Sequence, residues 1–156
     1  MIVSGPVRTA LAIVTVLPLA MLACVGGPTA TEQPVDPAGV WIFGIVVTLA
    51  NGICAGDEGE SSAHPITITK TGSAPPYAVT ASGFLGDPLN VLTGTFDENN
   101  RFVITGTYPE DGGTNSVRHD LVATSANRME GVENWSWDGS SGTCTNSTSD
   151  VIADRM

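Results

Sequence analysis

From Ala38 to the end of the chain, apolar and polar residues alternate with a period of two, interrupted by clusters of Gly, Pro, Asn, Asp and Ser. That period belongs to half-buried β-strands rather than to amphipathic helices. Eight strands are expected. The first carries Trp41, Phe43, Ile45, Val47 and Leu49 on one face and Ile42 and Val46 on the other, so both of its sides are expected to be partly covered. The other seven are 65–71, 77–85, 90–97, 101–108, 116–125, 128–138 and 142–152, each bounded by turn-forming residues.

The two middle strands make the sharpest local prediction. Leu92-Thr93-Gly94-Thr95-Phe96 and Ile104-Thr105-Gly106-Thr107-Tyr108 flank the polar tip 97–101, which reads as a β-hairpin. Cross-strand partners share a face, so register can be chosen by asking which loop length segregates the side chains. A two-residue loop at Asn99-Asn100 pairs Thr95 with Ile104 and mixes the faces. A three-residue loop, 98–100, pairs Phe96 with Phe102, Gly94 with Ile104 and Leu92 with Gly106 inside, and Thr95 with Val103 and Thr93 with Thr105 outside. It also sets Asp97 opposite Arg101 and puts Asn100 at the left-handed position of such loops. Gly94 and Gly106 then stand on the inner face, where they mark either bends in a coiled strand or space for another group.

Eight strands in consecutive hairpins form an antiparallel up-and-down meander, closed or nearly closed into an all-β barrel, with a β-sandwich as the alternative. The chain has 156 residues, 42% hydrophobic and 14% charged, which suits one globular domain over 38–156. Its net charge of −10 excludes nucleic acid as a partner, because phosphate recognition requires a basic footprint.

The residues before Ala38 read as an address. After a short start with one Arg comes an uncharged apolar run, 9–22, closed by Ala23-Cys24. The run has signal-peptide length and is too short to span a bilayer. A small residue followed by Cys at this place resembles the lipobox of bacterial lipoproteins. The resemblance implies that 1–23 is removed and that Cys24 is diacylated, anchoring the protein to the membrane of the cell envelope. Val25 follows the Cys in place of the Asp that retains such proteins at the inner membrane, which implies the outer membrane if the host is Gram-negative. Residues 24–37 lack hydrophobic periodicity and read as a flexible tether.

With Cys24 so accounted for, Cys54 and Cys144 remain as a disulfide pair. In an up-and-down meander the end of strand one and the start of strand eight lie at the same end of the molecule, so this bond is compatible with first and last strands closing the sheet. A disulfide between the two sheets of a sandwich fits as well. Gly39-Val40-Trp41 at the head of an eight-stranded meander is similar to the Gly-x-Trp start of lipocalins and other calycins, and 92–96 looks like strand segments of avidin-type barrels. The resemblance implies a small β-barrel and a late Arg packed on the Trp, for which Arg155 is the candidate; it leaves the ligand undefined.

The meander gives the molecule two ends. Loops following odd strands share the end away from the tether, and they are acidic: Asp57, Glu58, Glu60, Asp87, Glu110, Asp111 and Asp138 lie in or beside them. Asp57, Glu58, Glu60, Asp87 and Asp111 are candidate ligands for Ca²⁺ or for a cationic molecule; the competing reading is that these loops are acidic because they are exposed. Otherwise no cofactor is expected.

No catalytic signature is present, and the protein is not expected to be an enzyme. His119 and Asp120 point to opposite faces of their strand, as do Glu130 and Glu133. His119 is expected to be hydrogen-bonded or solvent-facing. Trp135 and Trp137 share a face with Met129, Gly131 and Glu133, where they either pack the core or wall a site for an aromatic ligand. Trp41, Trp135, Trp137, Gly94 and Gly106 are therefore the candidate ligand-binding residues. Two functions remain: a lipid-tethered barrel binding a small apolar or aromatic molecule, or an envelope interaction module with a solid core. Interior volume separates them, since an eight-stranded barrel is either filled by its side chains or holds one small ligand.

Overall fold

The structure, a computed structural model, describes residues 35–156; the expected signal segment 1–23, the lipidation site Cys24 and tether residues 24–34 lie outside the described residues. Eight antiparallel strands, β1 (Gly39–Leu49), β2 (Ser61–Thr71), β3 (Tyr77–Ser82), β4 (Val91–Phe96), β5 (Arg101–Glu110), β6 (Gly113–Ser125), β7 (Arg128–Gly139) and β8 (Gly142–Arg155), follow one another around a closed barrel. β8 returns to pair with β1 from Trp41↔Arg155 to Leu49↔Thr148, which removes the sheet edges and decides against a sandwich. Alternation decides what fills the barrel: Trp41 and Phe43, Phe96, Phe102 and Ile104, and Leu121 and Met129 all point inward and are fully buried. On the outer face of β1, Ile42 is half-buried and Val46 is 44% exposed, so that face is covered only in part.

The β4–β5 hairpin has the register that face segregation predicts, with Phe96↔Phe102, Gly94↔Ile104, Thr95↔Val103 and Thr93↔Thr105, and Asn100 is left-handed at φ 60°. One expected contact differs. Asp97 accepts hydrogen bonds from the backbone N–H groups of Asn99 and Arg101 at 2.8 and 2.9 Å, while the Arg101 guanidinium reaches diagonally to Asp120 on β6 at 2.7 and 2.6 Å. A carboxylate closing its own turn is not free for a side-chain pair, and the planar guanidinium finds a bidentate partner next door.

β3 ends at Ser82, short of the expected Leu85. Gly83 turns left-handed at φ 109°, and Phe84–Gly86 forms a single 3-10 turn that carries Phe84 into the barrel. The apolar pair Phe84-Leu85 imitates a strand end, but a residue with that φ cannot continue one. Because β3 and β4 have six residues each, β2 pairs with β3 only over Thr67–Thr71, and β5 pairs with β4 only up to Thr105. Segment 83–90 closes the wall above them, pinned by Asn90, whose side-chain amide donates to the Phe84 carbonyl at 2.9 Å. Phe84 packs edge-on to Phe43 and stacks on Tyr108, with ring centroids 6.0 and 6.1 Å apart.

At the other end, the last residues of the expected tether are fixed to the barrel. Val35 N–H donates to Asn100 Oδ1 at 3.1 Å, Asp36 pairs with Lys70 at 2.9 Å, and the Pro37 carbonyl accepts from Trp41 Nε1 at 2.9 Å. The Arg155 guanidinium lies 5.3 Å from the centre of a Trp41 ring and donates to the Asp36, Ala38 and Ala126 carbonyls. Trp41 and Arg155 thus close the end at which the chain enters.

Candidate functional site: a cavity at the distal end

Above Phe84 the barrel is hollow. A cavity of about 500 Å³ opens at the end opposite Val35 and Trp41. Strands β1 and β2 contribute Ile45, Val47, Ser62 and His64 to its wall, β5 and β6 contribute Tyr108, Glu110 and Asn115, and β7 and β8 contribute Glu133, Trp135, Trp137 and Ser149. The 50–60 segment, carrying Ile53 and Asp57, forms part of the mouth, and the Cys54–Cys144 disulfide, with Cα atoms 5.6 Å apart, ties it to β8. A bulge on β8, where Asn146 turns left-handed at φ 52°, lets Trp135 oppose Ser147 and Trp137 oppose Cys144.

Both indoles spend their N–H groups on the protein: Trp135 Nε1 donates to Ser149 Oγ at 3.1 Å and Trp137 Nε1 to the Glu110 carbonyl at 2.7 Å. Neither N–H is therefore free for a ligand, and the two rings serve as apolar wall. The Asn115 amide nitrogen donates to Glu110 Oε2 at 2.6 Å and to the Tyr108 hydroxyl at 3.5 Å, which leaves Asn115 Oδ1 without a partner. Glu133, only 5% exposed, likewise has no hydrogen bond at Oε2. Its neighbour across β6–β7 is His119, fully buried, with Nε2 3.7 Å from Oε2, a contact beyond hydrogen-bond length. The expectation of a satisfied or solvent-facing His119 is thus corrected: Phe43 and Phe84 enclose the ring and neither nitrogen finds a partner.

Burial sets the charges here. Removal from water, helped by the charge of Glu110, pushes the Glu133 carboxyl up to about 7, and burial pulls His119 down to about 4. Burial also raises Glu110 and Tyr108. Both members of the Glu133–His119 contact are accordingly neutral over much of the mildly acidic range. Glu133, with an ordinary value of 4.5, stabilises the fold fully below that pH and loses its contribution as pH rises to about 7. His119, with an ordinary value of 6.5, contributes fully above that pH and loses its contribution as pH falls to about 4. Each effect is on the order of 3 kcal/mol and the two oppose each other over a shared window. Relative to wild type, Glu133→Gln should gain stability as pH rises from about 4.5 to 7, and His119→Leu should gain stability as pH falls from about 6.5 to 4. Urea unfolding at stepped pH checks this, and difference profiles sloping the same way for both variants would contradict it.

The candidate residues divide clearly. Trp135 and Trp137 line the cavity. Trp41 does not: it is buried at the entry end under Arg155. Gly94 and Gly106 are also corrected. A Cβ on Gly94 would meet the Val103 carbonyl oxygen at 1.9 Å, and one on Gly106 would meet the Leu92 side chain at 2.6 Å, so the first marks a close strand approach and the second a space already filled. Of the acidic set, Asp57, Glu60 and Asp111 border the cavity; Glu58 accepts the Ala50 N–H at 3.4 Å, and Asp87 closes its own turn by accepting the Leu89 N–H at 2.8 Å. Among the described residues no three His, Cys, Asp or Glu side chains are grouped to hold a metal ion. The sequence does not single out Glu133, Asn115 or Tyr108 as site residues, and it places Glu110 only in or beside the acidic distal loops. The signal for Glu133 was present: an acid in the inward phase of a strand whose other inward residues are Met129 and two Trp.

No protein-family model matches the chain, and no curated protein matches it in sequence.

Proposed function

We propose that the protein is a lipid-anchored, non-enzymatic binding module of the cell envelope that holds a small ligand with an apolar or aromatic body in the distal cavity. The carrying observation is the cavity itself. Its volume of about 500 Å³ lies in the range of small-molecule sites, and Trp135, Trp137 and Tyr108 wall it. The chain joins the barrel at Val35, at the end opposite the mouth, which leaves the mouth clear for a protein anchored at Cys24, on the outer membrane in a Gram-negative host. Arg101–Asp120, Arg128–Glu130 and Arg128–Asp154 ion pairs on the outer wall near the entry end fit a tethered barrel with that end in water. The non-enzymatic reading is supported by His119, which sits behind Phe84 and does not border the cavity.

The second reading, an interaction module with a solid core, draws support from the half of the barrel below Phe84, where Trp41, Phe43, Phe96 and Phe102 are fully buried. The two readings part at the distal half. Ser62 is exposed on the cavity wall, so Ser62→Trp should obstruct the opening while leaving the fold intact. Native mass spectrometry of the full chain should show a co-purified small molecule on wild type and a reduced share on Ser62→Trp; equal occupancy of the two would remove the cavity from the account.

A further inference from the structure

We propose that the ligand is an organic ammonium ion, a protonated amine on an aromatic or apolar body, whose N–H groups are received by the carboxylate of Glu133 and the side-chain carbonyl of Asn115. This rests on the reading of the distal cavity as a ligand site and names the chemistry it selects.

The argument is one of unmet hydrogen-bonding capacity. Glu133 and Asn115, 5% and 6% exposed, both border the cavity, and each keeps one oxygen without a partner, Glu133 Oε2 on its His119 side and Asn115 Oδ1, so neither side chain has its hydrogen-bonding capacity met by the protein. A buried acceptor left unpaired costs about 1 to 3 kcal/mol, so a ligand that brings donors gains where one that brings only acceptors does not. Both Trp N–H groups and the Asn115 amide already serve protein oxygens, which leaves the Tyr108 hydroxyl, the wall serines and His64 as the only polar groups besides the carboxylates and Asn115 Oδ1 still open to a ligand among the described lining residues. Charge points the same way. Asp57, Glu60, Glu110, Asp111 and Glu133 border the cavity, and no Lys or Arg is among the described residues that line it. A bare metal ion is a poorer fit, since these carboxylates are not grouped for coordination, whereas the indole faces of Trp135 and Trp137 suit both the cation and its apolar body.

Amine binding should be linked to protons. Glu133 faces His119 on β6, Ser149 on β8, and Tyr108 and Glu110 across the cavity, with His64, Asp57, Glu60 and Asp111 farther along the wall. Burial keeps Glu133 protonated up to about pH 7, so an ammonium ion must displace that proton at lower pH. Affinity should therefore climb from pH 5 to pH 8 and level off beyond, while the amine itself stays charged to roughly pH 10.

The test is calorimetric titration of the full chain in detergent, blank-corrected, with four probes: 2-phenylethylammonium, 2-phenylethanol, 3-phenylpropanoate and Ca²⁺. The amine is expected to bind about tenfold to a hundredfold more tightly than the alcohol at pH 8, and the carboxylate not at all. Glu133→Gln should erase that preference and the pH dependence; Asn115→Leu should weaken the amine more than the alcohol. Equal binding of amine and alcohol, preference for the carboxylate, or Ca²⁺ binding lost in Glu133→Gln would overturn the amine assignment and leave the cavity reading standing. If none of the organic probes binds and the purified chain also carries no small molecule, both fall.

Discussion

Replacing Gly94 with alanine is expected to cost at least about 3 kcal/mol of stability, enough to leave a small domain partly unfolded. The inward face of β4 comes so close to β5 at this point that a Cβ would stand 1.9 Å from the Val103 carbonyl oxygen and 2.8 Å from Ile104 Cα. These are backbone atoms of the paired strand, so relief requires opening a ladder only four register positions long, Thr93↔Thr105 to Phe96↔Phe102. The same strand holds the lower rim of segment 83–90, so the damage would reach the cavity. Gly56→Ala is the control: its added Cβ meets nothing within 4 Å, and the change should be neutral or slightly stabilising. Urea midpoints of the two variants check the contrast; comparable midpoints would contradict the close approach.

Loss of the Cys54–Cys144 bond carries the other large effect. It closes a loop with a sequence separation of 90, so in the chain-entropy description its removal costs on the order of 4 kcal/mol. The position adds a functional consequence. Segment 50–60 has only a single 3-10 turn, Gly52–Cys54, and the disulfide fixes it to the start of β8, where Gly52 also approaches the Thr143 backbone. The Cys54→Ser/Cys144→Ser chain should therefore melt at lower denaturant and also lose amine affinity in the part of the pH range where the barrel is still folded. A double variant matching wild type in midpoint and affinity would show that the mouth organises itself without the bond.

What the sequence made legible was whatever depends on a period of two. Strand identity, the inward face of the 92–108 hairpin and the left-handed Asn100 follow from alternation plus loop length, because a one-residue slip would expose Phe96, Phe102 and Ile104 together. Alternation says which side chains point in, but not how far along the barrel axis each one sits. That is why Trp41, Trp135 and Trp137 looked equivalent although one closes the entry end and two wall the cavity. Nor does it report how a segment leaves the sheet: Phe84-Leu85 has strand character, and Gly83 alone announced the turn that makes Phe84 divide core from cavity. The unmet acceptors of Glu133 and Asn115 were illegible for another reason, since partnership across β5, β6 and β7 is a matter of three-dimensional geometry. The acidity of the distal loops was readable. Its focus on one inward carboxylate was not.

The central claim, that the distal half of this barrel exists to be filled, is tested most directly by the native mass of the full chain purified from the cells that express it. The predicted result is a population heavier than the protein, any covalent modification included, by one small molecule, released on acidification to pH 5 and depleted in Ser62→Trp. A single mass accounted for by the covalent protein alone, unchanged between wild type and Ser62→Trp, would contradict it.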